Sequence, residues 1–123
     1  MPFALRLLAA CPLLFVPFVA HANPSGEAVF ERNCAICHST EPDHNRVGPS
    51  LAGVVGRHSG AVPNFNYSSA NKNSGIVWTQ DKLNAYLTNP QGVVPGTTML
   101  FPGVKNDADR HALIDFLATL SGS

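Results

Sequence analysis

Two cysteines three residues apart with a histidine directly after them, Cys34-Ala35-Ile36-Cys37-His38, restrict this chain more than any other feature. Thiols at this spacing reach the two vinyl groups along one edge of a porphyrin as thioethers, while the adjacent imidazole turns its ring onto the iron. Other uses of paired cysteines ask for more than the sequence supplies. A thioredoxin-like redox pair needs a surrounding strand-helix-strand pattern, and a zinc site needs a second cysteine or histidine pair at ligand spacing. A disulfide between residues three apart constrains little. The run therefore reads as a covalent attachment site for one haem c, bound through Cys34 and Cys37, with His38 as a metal ligand.

The N-terminus reads as an export leader over residues 1–22. Arg6 makes a short positive start, Leu7 to Ala20 is apolar, and Ala20-His21-Ala22 fits the small-x-small rule for cleavage. The apolar stretch is shorter than the roughly 20 residues a membrane span takes, and Pro12 and Pro17 interrupt it. Leu8-Ala9-Ala10-Cys11 offers a rival, a lipoprotein site that would lipidate Cys11, but only four apolar residues separate Arg6 from that cysteine. Cleavage after Ala22 leaves a single domain over 23–123, with no stable membrane insertion and a periplasmic location. Its two remaining cysteines are both taken by haem.

That domain carries seven basic residues against eight acidic ones, a formal charge of −1. Such a balance gives no case for nucleic-acid binding. About 100 residues bury only a limited core, and a covalently held porphyrin would supply much of the apolar interior that is missing.

The local signals are helical. Ser25 to about Ile36 begins with a capping serine, carries Glu27 in its first turn, and presents Gly26, Ala28, Val29 and Phe30 as a small-plus-apolar face. Ser39 to Asn66 is rich in Gly, Pro and Ser, which predicts a long irregular loop that haem would organise. Ser68 to Asn73 predicts a short helical turn. Thr79 caps a segment running to about Thr88, with Leu83, Tyr86 and Leu87 on one side, stopped at Pro90 or just before it. Val93 to Gly103, with two prolines and two glycines, is expected to be loop. Asn106-Asp107-Ala108-Asp109 starts a last helix in which Leu113, Phe116, Leu117 and Leu120 recur at helical spacing. No repeat or strand pattern stands out, so the expected class is all-α.

The domain holds one methionine, Met99, in the loop Pro95-Gly96-Thr97-Thr98-Met99-Leu100-Phe101. A lone methionine usually fills core space. This one has no helical face to fill, and its thioether is a soft, uncharged ligand that favours ferrous iron opposite a histidine. His44, His58 and His111 are the competing ligands. The first two lie in the Gly/Pro-rich loop, where they are expected to bond backbone, and His111 is offset from the apolar face of the last helix.

These residues and a further set of fixed-distance matches resemble the class I c-type cytochromes, the group containing mitochondrial cytochrome c and its soluble bacterial relatives. The matches are Gly48-Pro49-Ser50-Leu51, Gly53-Val54-Val55-Gly56-Arg57, Asn66-Tyr67, Ala70-Asn71-Lys72-Asn73, Gly75-Ile76-Val77-Trp78, Tyr86-Leu87 and Pro95-Gly96-Thr97. The resemblance implies a small cytochrome c fold in which Gly26 and Phe30 cross Leu113, Phe116 and Leu117. It implies that the Pro49 carbonyl accepts the His38 ring N–H, and that Arg57, Tyr67, Trp78 and Thr97 neighbour the haem propionates. Asn71 and Tyr86 would form a polar network behind Met99, Tyr86 donating to its sulfur. Phe101 would cover the haem face, with Leu51 and Leu87 packed on the ring.

The expected function is that of a monomeric periplasmic one-electron carrier, not an enzyme. It would shuttle electrons between redox donors and acceptors such as an oxidase, a bc1-type complex, a reaction centre or a dehydrogenase. The alternative is a haem enzyme or gas sensor in which Met99 dissociates to open the iron. One departure from the mitochondrial members stands out. Their lysine ring round the haem edge is replaced by Asn33, Gln91, Gly92, Thr98 and Asn106, with cations retained at Arg46 and Lys105.

Overall fold

The computed structural model describes residues 12, 14–18 and 24–122. The cleavage site, Cys11 and most of the expected leader lie outside the described residues.

Among the described residues five helices follow in order: α1 (Gly26–Asn33), α2 (Ser69–Lys72), α3 (Gln80–Thr88), α4 (Pro90–Val93) and α5 (Asp107–Ala118). Among the described residues no segment forms a strand, and the one β-bridge joins His58 to Val77. Each helix start is chemically marked, because the first turn leaves N–H groups that need an acceptor. Side chains of Ser25, Ser68, Thr79, Asn89 and Asn106 provide it, accepting from Ala28, Asn71, Lys82, Gly92 and Asp109 respectively.

The framework is the packing of α1 on α5. Gly26 makes it possible: a Cβ there would lie 2.6 Å from Phe116 Cβ and closer still to the Ala112 carbonyl oxygen. One turn on, the rings of Phe30 and Phe116 meet with centroids 5.7 Å apart. Val29, Phe30, Leu113, Ile114 and Leu117 are buried at this crossing. The third helix packs on α5 as well and buries Leu83, Tyr86 and Leu87.

Two expectations need correction. The first helix stops at Asn33 instead of about Ile36, with Cys34 as its C-cap. The turn that follows folds back on itself, His38 N–H donating to the Cys34 carbonyl at 2.9 Å. Pro90 not only ends α3 but opens α4, since a proline lacks the N–H that the first helical position cannot use anyway. Asn89 closes one helix and caps the next.

The irregular stretch between α1 and α2 is organised by protein as well as by what it surrounds. Gly56 and Ser59 N–H donate to the carbonyls of Trp78 and Ile76 (both 2.8 Å), and Gly53 N–H to that of Leu120 (3.0 Å). Asn45 ties two turns together, accepting from Ser50 N–H and donating to the Pro63 carbonyl.

Arg110, unnoticed in the sequence, is a buried cation on α5. It donates to Asn84 of α3 (2.7 Å), to the Val104 carbonyl (3.0 Å) and to Asp107 (2.6 Å). A buried charge is tolerated only when its donors are matched in this way. Here the matching fastens the end of the Met99 loop to two helices.

Candidate functional site

A cavity of about 420 Å³ opens between the helices and the loops, in the size range of small-molecule and cofactor sites. All twelve residues singled out from the sequence line it: Cys34, Cys37 and His38 from the turn after α1, Pro49 and Arg57 from the long loop, Tyr67 and Asn71 at α2, Trp78 and Tyr86 at α3, and Thr97, Met99 and Phe101 from the loop after α4. His44, His58 and His111 do not line it. His44 instead faces Glu41 at 3.6 Å, and His111 is exposed.

His38 is held from two sides. Its Nδ1 lies 2.7 Å from the Pro49 carbonyl oxygen. That oxygen can only accept, so Nδ1 carries the proton and Nε2 is left as the lone-pair atom. Gly48 packs flat on the ring: a Cβ there would lie 2.7 Å from Nδ1 and 2.9 Å from Nε2. Burial pushes the ring's pKa below the usual histidine range, opposed by the Pro49 bond and assisted by the charge of Arg57. The neutral imidazole is the form that binds a metal.

Met99 is positioned by the turn after α4. Its N–H donates to Thr97 Oγ1 (3.2 Å), and Gln91 Nε2 of α4 reaches the carbonyls of Thr97 (3.3 Å) and Met99 (3.4 Å). The Tyr86 hydroxyl lies 3.8 Å from Met99 Sδ and donates to it. Burial raises the Tyr86 pKa, the Thr97 hydroxyl pulling the other way, so the phenol keeps its proton for that bond.

Asn71 departs from the arrangement the resemblance implied. Its side-chain oxygen accepts from the Ser59 hydroxyl, which also donates to the Asn71 carbonyl at 2.9 Å. Among the described residues no hydrogen bond joins Asn71 to Tyr86. A hydroxyl one loop away outcompetes the phenol, and nothing in the local sequence marks Ser59 as that partner. Tyr67 accepts from Val62 N–H (3.1 Å) and meets Phe65 edge to face with centroids 4.8 Å apart. Arg57 gives one Nη1 to the carbonyls of Ser50 (3.0 Å) and Ala52 (3.1 Å). Trp78 packs against Tyr86 at 4.6 Å.

The cysteines differ in setting. Cys34 is buried and Cys37 half-buried. Burial, with the neighbouring Cys37 adding to it, pushes the Cys34 thiol up to about 11. No group of three or more His, Cys, Asp or Glu residues forms a metal cluster among the described residues.

The walls fit a porphyrin. They are chiefly apolar, the histidine is neutral and fixed with a free ring nitrogen, a soft sulfur lines the same space, and two thiols stand beside the histidine. An all-helical shell with these features defines a protein holding one covalently attached haem. Residues 25–121 match the cytochrome c family model, and the chain belongs to that family. It is 50% identical over 95 residues to cytochrome c2 of Rhodopila globiformis, covering 77% of this chain and 90% of that one. It is also 45% identical over 116 residues to cytochrome c2 of Blastochloris viridis (94% and 88% covered) and 47% identical over 95 residues to cytochrome c of Euglena viridis (77% and 93%). The chain is an electron carrier and not an enzyme, and its cofactor is haem c joined through Cys34 and Cys37.

Proposed function

We propose that this chain is an exported, soluble carrier whose iron is held by His38 on one side and Met99 on the other. The observation that carries the reading is the fixing of both donor atoms within one cavity: the Pro49 carbonyl sets which nitrogen of His38 is free, and the Tyr86 hydroxyl and Gln91 amide set where the Met99 sulfur and backbone lie. Haem c bound there supplies a one-electron couple between ferric and ferrous iron.

The chain's own residues decide how that couple behaves. With His38 and Met99 both holding the iron, no position would be left for oxygen or a substrate. A thioether stabilises the ferrous state relative to most other ligands and raises the potential. The Tyr86 hydrogen bond withdraws charge from the sulfur and adjusts that effect. Arg57, Tyr67, Trp78 and Thr97 line the cavity and would supply donors to the propionates, the N–H groups of Arg57 other than Nη1 being suited to a carboxylate. Leu51, Leu87, Leu113 and Leu117 line it too and would keep water from the ring. A histidine and a methionine so held would keep the two oxidation states alike, which would favour fast transfer.

Carbon monoxide added to the reduced protein at neutral pH tests the ligation. Slow or negligible binding is expected with Met99 on the iron, and rapid stoichiometric binding would mean that the sulfur is not held there.

Export is the second part of the proposal, with residues 1–22 as a cleaved leader, 23–123 as the working domain, and the periplasm as its location. Leu14, Phe15, Val16 and Phe18 stand exposed, without a place in the core, and the family match begins only at residue 25. No helix among the described residues is long and apolar enough to cross a membrane. The intact mass of the exported protein should equal Asn23 to Ser123 plus one haem. A lipid mass on Cys11 would overturn both the cleavage site and the soluble location. As a monomer in that compartment the carrier would exchange electrons with an oxidase, a bc1-type complex, a reaction centre or a dehydrogenase.

A further inference from the structure

The run from Pro95 to Phe101 that carries Met99 is fastened unequally at its two ends. Behind it the chain is bound tightly. Val104 N–H donates to the Leu87 carbonyl at 2.7 Å, Arg110 donates to the Val104 carbonyl at 3.0 Å, and a Cβ on Gly103 would lie 2.5 Å from the Thr88 carbonyl oxygen, so this end is pressed onto α3. In front the turn is closed on itself, Thr97 N–H donating to the Val94 carbonyl (3.0 Å) and Met99 N–H to Thr97 Oγ1 (3.2 Å). Both bonds stay within the turn.

Gln91 is what ties that turn to a helix. It stands in α4, whose backbone is fixed by Val93 and Val94 N–H donating to the Asn89 and Pro90 carbonyls (3.2 and 2.9 Å). Its Nε2 lies 3.3 Å from the Thr97 carbonyl oxygen and 3.4 Å from that of Met99. Both partners can only accept, so it is the NH2 end of the amide that faces them. A carboxylate of the same shape would set oxygen against two carbonyl oxygens. Tyr86 also reaches the loop, but at the sulfur (3.8 Å) and not at the backbone.

We propose that Gln91 is the positioning residue that keeps Met99 on the iron, its amide setting how often the front of the loop lets the sulfur go. The inference rests on the reading of Met99 as a ligand and adds the residue that governs how long that ligand stays. Relative strength decides where the loop yields. The two Gln91 bonds are long and the side chain is exposed, so water competes for them, whereas the rear bonds are shorter and Arg110 is buried. The loop therefore opens from the Thr97 end while Val104 stays on α3. Each opening would leave the iron to whatever small ligand is at hand.

The test uses the ferric holoprotein and imidazole as the trapping ligand, at about pH 8, where a ring with a pKa near 6.5 is chiefly neutral and a new charge at residue 91 neither attracts nor repels it. Binding requires the sulfur to leave, so its rate at a fixed imidazole concentration reads the frequency of opening. Gln91→Ala should raise that rate about five-fold, the effect of losing two modest hydrogen bonds, and Gln91→Glu should raise it further, because the carboxylate repels both carbonyls. Gln91→Arg restores donors and cannot itself bind iron, since a guanidinium keeps its proton, and should return the rate to within about two-fold of the wild type. The far-red band of the alanine and glutamate variants should fade at a lower temperature than in the wild type, while the midpoint of global unfolding moves by no more than a few degrees, as for other exposed substitutions. Unchanged rates in both Gln91→Ala and Gln91→Glu overturn the proposal, and so does an arginine variant as fast as the alanine one, because the donors would then not matter. A rate that rises only in step with a falling unfolding midpoint assigns Gln91 a general structural role and overturns it too. A wild type without the far-red band overturns the Met99 ligation on which the proposal rests.

Discussion

Met99→Ala should keep its haem, lose the weak far-red absorption band of a sulfur-to-iron bond in the ferric state, and show a markedly lower reduction potential. Attachment survives because Cys34, Cys37 and His38 are untouched. The band goes because the one methionine of the domain, and with it the only sulfur free to meet the iron, is removed. The potential falls because water or an amine at the open position favours ferric iron, and axial ligands as a group move haem potentials over a range of roughly 0.8 V. Exogenous cyanide or imidazole should then bind readily. The Tyr86 hydroxyl loses its sulfur acceptor but keeps Thr97 within reach, so the fold should withstand the change. A wild type without the band, or a potential that does not move in the variant, would mean that a residue other than Met99 holds the iron.

Gly26→Ala should lower the thermal midpoint, although alanine is the better helix former. Propensity alone favours alanine by at most about 1 kcal/mol. Against this, the new Cβ falls 2.6 Å from Phe116 Cβ and 2.7 Å from the Ala112 carbonyl carbon. A backbone group cannot turn aside as a side chain can, so α1 and α5 must move apart along a buried seam, at the upper end of the roughly 1–3 kcal/mol that overpacking costs. The packing loss wins by about 2 kcal/mol, equivalent to a fall of roughly 8–16 °C in a domain of this size. Calorimetry of the holoprotein reads this directly. A midpoint that stays or rises would show that the helices leave room for a methyl group at Gly26.

Much of this architecture is legible in single residues. Thr79 and Asn106 cap α3 and α5 where the hydroxyl-or-amide signal places them, and Leu83, Tyr86 and Leu87 are buried together as their spacing requires. The attachment run is legible for the same local reason, because covalent attachment demands a fixed spacing, and Met99, singled out as the one methionine of the domain, lines the same cavity. What escapes is non-local. Ser59 joins Asn71 across a loop, Arg110 joins α5 to Asn84 and to Val104, and neither pairing has a periodicity or a motif to betray it. Helix α4 escapes because its proline is read as a stop, and only the Asn89 side chain, capping from just before it, turns the stop into a start. The loop from 39 to 66 looks structureless because its order comes from backbone bonds to distant residues, which composition does not encode.

Cys34 sits at the end of α1 in the same apolar cluster as Phe30 and Leu113, with 8% of its surface exposed. Cys34 also lines the cavity, and so do Leu113 and Leu117 of α5, far along the chain from it. A haem tied to the turn after α1 would therefore press on the helix that crosses it, so one covalent bond made at the end of the first helix would tighten the seam between α1 and α5.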